Sequence, residues 1–315
     1  MTGYVVARLG QAVVLLFIMS AVVFAVVHAA PGGPAILNNP DIDPRLAQEM
    51  ARNLGLEDPL PVQYGRWLGN LLQGKLGRSY QHQLPVEQLI LERLPATLLL
   101  TGTGLSLSLL LAIPIGVLSA TRPYSLLDRL ATIGAFIGVS IPVFWLGIIL
   151  IILFSVELNW LPSAGMLTAG APFSLGDLLA HLILPGLVVA SFPLAQLVRY
   201  TRSALLEVIR QDYIRTARAK GLSEWQVLTR HALRNALIPV ITVTGLLVPR
   251  LVGGAAITET VFAWPGMGRL AVDAAFTRDY PLVMGITLLM SAVVVATNLL
   301  TDLLYVYVDP RIRFD

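Results

Sequence analysis

The chain contains no cysteine. A disulfide framework, a thiolate nucleophile and a Cys-ligated zinc or iron–sulfur site are therefore excluded. Its four histidines, His28, His82, His181 and His231, are scattered, with no pair at ligand spacing, so no metal site is expected. Charge is scarce as well. Asp, Glu, Lys and Arg make up 13% of the 315 residues, about half of the ~25% usual in a soluble domain. So little charge cannot cover a water-facing surface of this size, which excludes a soluble enzyme. Disorder is excluded by the 56% of hydrophobic residues. Neither Gly-x-Ser-x-Gly nor His-Glu-x-x-His occurs, and no catalytic residue is expected. What is present is apolar sequence, at a mean hydropathy of +0.73. The formal charge of +3 fits basic loops beside a membrane rather than a nucleic-acid partner.

Six stretches are long and apolar enough to cross about 30 Å of hydrocarbon: residues 9–30, 96–120, 130–155, 178–198, 236–258 and 282–304. The expected fold is all-α and polytopic, with six transmembrane helices. In the short links on one side Lys and Arg number thirteen: Arg8, Arg122, Arg129, Arg199, Arg202, Arg210, Arg215, Arg218, Lys220, Arg230, Arg234, Arg311 and Arg313. The other side has only Arg269 and Arg278, the long segment 31–95 being outside the reach of the rule. Both termini are therefore expected in the cytoplasm, in a multi-pass inner-membrane protein. Val27-His28-Ala29 resembles a signal-peptide cleavage site, but the apolar core before it is too long, and the first helix is read as retained. The division expected is 1–30 (tail and first helix), 31–95 (an extracytoplasmic cap) and 96–315 (the core spans, with a cytoplasmic segment at 199–235). Pro114, Pro142, Pro185 and Pro249 lie inside spans and are expected to kink them.

The outer loop opens on Pro31-Gly-Gly-Pro34, and Asp43-Pro44 signals a short helix to about Asn53, with another over residues 59–72. Gly69-Asn-Leu-Leu-Gln-Gly74-Lys75 matches part of a phosphate-binding loop. Leu76 stands where a hydroxyl should hold magnesium, and no strand precedes it. ATP, if used, is bound by another chain.

The segment after the fourth span is the most informative. Residues 213–220 lack helix breakers, Gly221 supplies a left-handed stop, and Ser223 with Gln226 forms a capping box for a second helix. On that helix Trp225, Leu228 and Ala232 share a face. Two readings stand: a hairpin lying on anionic lipid, or an amphipathic helix seated in a partner's groove.

Asp212-Tyr-Ile-Arg-Thr-Ala-Arg-Ala-Lys-Gly221, followed by Arg230-His-Ala-Leu-Arg-Asn-Ala-Leu-Ile-Pro239, resembles the coupling loop of ABC-importer permeases, in the B-type subunit of the dipeptide/oligopeptide/nickel branch. Arg215 replaces the first Glu of the general Glu-Ala-Ala motif, while Ala217 and Gly221 are kept. The resemblance extends along the chain through Leu54-Gly-Leu-Glu-Asp-Pro-Leu-Pro-Val-Gln-Tyr64, Arg93-Leu-Pro-Ala-Thr97, Glu259-x-x-Phe262-x-x-Pro265-Gly266-x-Gly268, Arg278-Asp-Tyr-Pro281, Asn298-Leu-Leu-Thr-Asp302 and Asp309-Pro-Arg-Ile-Arg313. It implies a type I importer transmembrane fold. It also implies a second, homologous permease subunit, two cytoplasmic ATPase subunits that carry the ATP and magnesium, and an extracytoplasmic solute-binding protein. No cofactor is expected on this chain. The residues it assigns to ATPase coupling are Tyr213, Arg215, Thr216, Ala217, Ala219, Lys220, Gly221, Leu222, Ser223, Trp225 and Leu228. Trp264, Pro265, Gly266, Met267 and Gly268 are read as an outer gate or binding-protein contact, or as a plain tight loop.

Arg250 stands inside the fifth span, where insertion of an Arg costs roughly 2.5–3.5 kcal/mol. It is read, with Pro249 and Asn298, as a candidate for the translocation path, the alternative being a structural pair with a neighbouring helix. Gly134-Ala-Phe-Ile-Gly138 is read as a close-packing motif. His181 is read as a satisfied interfacial histidine. Cargo is expected to be di- or oligopeptide, with nickel chelates, glutathione or oligosaccharides as alternatives. An ion-coupled secondary transporter would call for inverted repeats, and none is visible.

Overall fold

The computed structural model describes residues 2–30, 33–38 and 42–308, and side chains from 8 onward except 250, 252–254 and 302–308. The Pro31-Gly-Gly-Pro34 exit lies partly, and the Asp309–Arg313 motif wholly, outside the described residues. In order the helices are α1 (Thr2–Ala29), α2 (Pro44–Asn53), α3 (Leu60–Leu72), α4 (Val86–Thr121), α5 (Leu126–Ser140), α6 (Val143–Leu150), α7 (Leu175–Ile209), α8 (Asp212–Ala219), α9 (Glu224–Gln226), α10 (Leu233–Val261), α11 (Met267–Thr277) and α12 (Tyr280–Val308). π-helical turns follow α6 (Ile151–Glu157) and α9 (Val227–Ala232). No strand occurs among the described residues.

Five of these helices are long and apolar enough to span a bilayer, and the bent pair 126–140 and 143–157 is a sixth crossing if it counts as one broken span. The span expected over 130–155 is thus broken at Pro142, one of the four prolines expected to kink their spans. The two arms meet at 108°. Ile141 is extended (φ −75, ψ 126), as the residue before a proline prefers, and Pro142 caps the second arm. The other prolines do not break their helices. α4 runs unbroken through Pro114, α7 through Pro185 and Pro193, and α10 through Pro239 and Pro249. The spans also expose large apolar side chains: Val13 is 67% exposed, Leu110 70% and Phe136 59%. A bilayer or partner chain is needed to cover them.

Two compact units form, and they cut across the three-part division read from the sequence. The first joins residues 1–97 to 265–296. Its α2 and α3 match the two expected helices, with Asp43 Oδ1 accepting from the Arg45 amide at 2.7 Å as the cap of α2. The partial phosphate-loop motif lies on the last turn of α3 and its cap. The amides of Gln73, Gly74 and Lys75 are already given to the Asn70 and Leu71 carbonyls. A helix C-terminus of this kind has no amides left for a phosphate. Val86, Leu89 and Ile90 at the start of α4 pack with Met267, Leu270, Ala274, Leu282 and Ile286. Thr97 Oγ1 accepts from the Met267 amide at 2.8 Å. Buried Asp279 takes bonds from Ser79 Oγ, from the Gln81 amide (3.1 Å) and, through its other oxygen, from the Leu282 amide (3.3 Å). Burial, and then the Asp279 charge, push the Tyr80 phenol up to about 12, so it stays neutral.

The second unit holds residues 98–264 and 297–315. Its organising contact is a stripe of small residues on α4: Gly104, Ser108, Ala112, Gly116 and Ala120, spaced by four and all buried. A Cβ on Gly104 would lie 2.5 Å from a Val189 methyl, and one on Gly116 2.6 Å from Thr201 Cβ. Ser108 Oγ lies 3.1 Å from the Ala190 carbonyl, to which it donates. Helices without side chains between them approach to backbone contact, the usual device where lipid offers no hydrophobic drive. Of the expected Gly134–Gly138 motif only Gly138 meets α7, against Ala195 and Ser191. His181 is buried, with Nδ1 2.8 Å from the Asp177 carbonyl and 3.3 Å from its Oδ1.

Arg202 on α7 forks onto Asp128 of α5, with Nε to Oδ1 at 2.6 Å and Nη2 to Oδ2 at 2.9 Å. Asp128 also accepts from Ser119 Oγ on α4 and from the Tyr124 amide at 2.8 Å. Three helices therefore meet on one buried carboxylate, which is 3% exposed. Replacing it leaves a half-buried guanidinium without its partner. Asp128→Asn should lower stability by about 3 kcal/mol, read as the thermal midpoint of the purified chain in detergent, whereas Arg218→Gln at an exposed pair should cost under about 0.5. Gly116→Val should likewise lower the folded yield, and Gly102→Val, where a Cβ meets nothing within 4 Å, should not.

Candidate functional site

The hairpin between α7 and α10 has the turn chemistry its sequence promised. α8 ends at Gly221, which adopts φ +79 and donates its amide to the Arg218 carbonyl at 2.9 Å. The capping box is complete: Gln226 N to Ser223 Oγ at 3.4 Å, and Ser223 N to Gln226 Oε1 at 3.2 Å. A side chain at Gly221 would meet no neighbour within 4 Å. Glycine is needed there for its left-handed backbone alone, not for space.

α8 is two-faced. Ile214 and Ala217, three apart, are buried against Leu205 of α7, Ala120 of α4, and Val227, Ala232 and Ala236. Leu222 and Leu228 pack on the same cluster as half-buried residues. Arg215, Thr216, Ala219, Lys220 and Gly221 are exposed. Tyr213 is partly exposed, and its hydroxyl accepts from Asn235 Nδ2 on α10 at 2.9 Å. Arg218 clamps the turn by a fork onto Glu224, at 2.8 and 3.2 Å. Of the residues the resemblance assigned, Ala217, Leu222 and Leu228 thus serve the hairpin's own core. Ser223 serves the cap, and the remainder faces outward.

The second limb is the helix expected after the Ser223–Gln226 box, and it continues into the fifth span. From Glu224 to Val261 the chain is helical without a break, passing through the π turn Val227–Ala232 into α10. No glycine or proline lies between Gly221 and Pro239 to end it. The hairpin and the fifth span are one rod. Trp225, 72% exposed, Leu228 and Ala232 do share a side, where they line a groove of about 590 Å³ together with Leu206, Arg210 and Arg122.

The other anticipated residues are dispersed. Trp264, Gly266, Met267 and Gly268 are buried. Trp264 donates its amide to the Glu259 carbonyl at 2.8 Å, and Met267 opens α11 inside the first unit's core. The segment read as an outer gate or binding-protein contact, or as a tight loop, is thus buried in this chain except for Pro265, which is half-exposed. Pro249 is half-buried in α10, and Asn298 is exposed on α12 without a side-chain hydrogen bond among the described residues. Neither lines the apolar cavity of about 410 Å³ among Leu109, Ile113, Ile241, Gly245, Val248 and Leu300. The side chains of Arg250 and Asp302 lie outside the described residues. The sequence reading missed Asp128, Ile214 and the α4 stripe. The i, i+3 apolar pair on α8 and the i+4 run of small residues were the signals available.

Residues 112–314 match the family described as "Binding-protein-dependent transport system inner membrane component", and residues 1–101 its N-terminal companion family. The chain is 47% identical to the oligopeptide transport system permease protein AppB of Bacillus subtilis, over all of both chains. It is 40% identical to the di/tripeptide transport system permease protein DppB of Pseudomonas aeruginosa, over 99% of each. Among solved structures, an inward-facing form of the MetNI methionine ABC transporter shares the fold, with a TM-score of 0.57 at 22% identity over 71% of this chain and 97% of that one. Hairpin, spans and relatives agree, and the chain belongs to the family of inner membrane components of binding-protein-dependent transport systems, the permeases of ABC importers.

Proposed function

We propose that this chain is the membrane-spanning permease subunit of an ATP-driven peptide importer, forming half of the translocation pathway beside a homologous second subunit. The observation that carries the reading is the two-faced α8, whose buried side is locked to α4, α7 and α10 while its other side presents Arg215, Thr216, Ala219 and Lys220. Such a helix has an attachment and a free face, which suits a partner's groove. The partner is a cytoplasmic ATPase subunit, one of two, and these bind the ATP and magnesium. The excess of Lys and Arg in the links on the α8 side supports placing that hairpin and both termini in the cytoplasm. The names of the relatives, an oligopeptide and a di/tripeptide permease, support a peptide cargo delivered by an extracytoplasmic binding protein.

The mechanism follows from rigidity. Closure of the ATPase pair displaces α8. Its apolar root, the Tyr213–Asn235 bond and the Arg218–Glu224 clamp carry that displacement into the Glu224–Val261 rod. The fifth span then moves as a lever, and the pathway opens alternately to each side. The chain itself makes and breaks no covalent bond.

Gly221→Pro forces φ to about −65° and removes the amide that caps α8. The variant should remain in the membrane with its partners yet lose peptide uptake and peptide-stimulated ATP hydrolysis by at least ~100-fold. Uptake at the normal rate would contradict the docking role. Gly221→Ala, strained by about 1–2 kcal/mol, should retain partial coupling. Ala219→Trp on the free face should block assembly with the ATPase without lowering the thermal midpoint of the isolated chain.

A further inference from the structure

A groove of about 380 Å³ runs between α5 and α7, lined by Thr132, Phe136, Arg199, Tyr200, Arg202 and Ser203. It contributes nothing to the hairpin. Its depth in the bilayer follows from the sequence, because residues 130–155 and 178–198 contain no Asp, Glu, Lys or Arg. Thr132 and Phe136 stand in the first turns of one charge-free run. Arg199 is the first charge after the other, so both helices place the groove where hydrocarbon gives way to headgroups.

The chemistry of the lining is divided at the same level. On the polar side are two guanidinium groups and three hydroxyls. Arg202 is neutralised by Asp128 through Nε and Nη2. Arg199 has no acidic partner among the described residues, and its guanidinium sits 5.8 Å over the Phe136 ring, which holds it across the groove. One cation is therefore uncompensated, with hydroxyl donors of Thr132, Tyr200 and Ser203 around it. The apolar part of the lining is the Phe136 ring, and around the helix from it, outside the lining, α5 exposes Leu130, Ile133 and Ile137 at 60%, 54% and 51%. A free inorganic anion would use only the first half of this surface. A ligand with one negative oxyanion and an aliphatic tail uses both.

We propose that the α5–α7 groove is a binding site for an anionic phospholipid. The phosphodiester oxygens accept from Arg199 and the hydroxyls, and an acyl chain lies along Leu130, Ile133 and Ile137. Basic pockets between membrane helices take anionic headgroups in this way, each basic side chain contributing roughly five-fold in affinity. A zwitterionic lipid brings its own cation to Arg199 and binds less well. Since Asp128 receives Arg202 beside this groove, lipid occupancy bears on the three-helix junction of Ser119, Asp128 and Arg202.

The test uses the intact complex in nanodiscs of phosphatidylcholine with phosphatidylglycerol as the minor component, released in native mass spectrometry. The expected result is one retained phosphatidylglycerol per copy of this chain. Arg199→Gln should lower retention roughly five-fold, Thr132→Val with Ser203→Ala should lower it less, and Arg199→Lys should largely restore it. Arg230→Gln, an exposed arginine on the π turn after the hairpin and outside the groove's lining, should change nothing. The Asp128–Arg202 fork is untouched in Arg199→Gln, so its thermal midpoint in lipid-free detergent should equal the wild type and separate lost binding from lost folding. Equal retention by wild type and Arg199→Gln would overturn the proposal. So would retention of inorganic phosphate in place of lipid, or displacement of the lipid by a transported peptide, which would make the groove part of the cargo path.

Discussion

The packing of Ile214 and Ala217 into the cluster formed by Ala120, Leu205, Val227, Ala232 and Ala236 is the contact on which the rest depends. It joins an eight-residue helix, too short to be stable alone in water, to three long helices at once. Without that root α8 would be a frayed loop, and force applied to it would be lost in local unfolding. With it, the exposed face of α8 is held as a rigid projection. The polar ties at the same place, Tyr213 to Asn235 and Arg218 to Glu224, are individually small and mostly solvent-exposed. They fix direction, while the apolar root supplies the attachment.

The architecture around this root favours transmission over deformation. α7 and α10 extend past the apolar length of a span, at 35 and 29 residues, and reach the hairpin, α7 ending two residues before α8 and α10 continuing into it through the π turn Val227–Ala232. The chain bends sharply at Ile141–Pro142, where the two arms turn through 108°; the π turn Ile151–Glu157 closes the second arm, and the π turn Val227–Ala232 relaxes the hydrogen-bond ladder without ending its helix. The small-residue stripe of α4 lets α7 approach closely, and the Asp128 junction pins the end of that crossing nearest the hairpin. This construction suits the lever proposed for it.

Much of this was legible in the residues. Apolar run length located the spans, because 20 charge-free residues have few alternatives to crossing a membrane. The Gly221 stop, the Ser223–Gln226 box and the Asp43 cap were readable because they are local, set by backbone hydrogen bonds within four residues. The failures were non-local or concerned strength. Pro142 breaks its span while Pro114, Pro185 and Pro249 do not. The burial of Met267 depends on partners far away in sequence, and so does the gathering of Ser119, Asp128 and Arg202. No spacing rule announces such contacts. The i+4 run of Gly104, Ser108, Ala112 and Gly116 was readable in principle, but the more familiar Gly-x-x-x-Gly pattern at 134–138 drew the reading instead.

The absence of cysteine makes the central claim directly measurable, since one introduced thiol is the only one on the chain. Single cysteines at Thr216, Ala217 and Ala219 can be probed with a short thiol-to-amine cross-linker in membranes containing the full transporter. If the outward side of α8 is the seat of the motor subunit, Thr216→Cys and Ala219→Cys will join to an ATPase chain while Ala217→Cys, facing the root, will not. Efficient cross-linking at Ala217 with none at Thr216 or Ala219 would contradict the account.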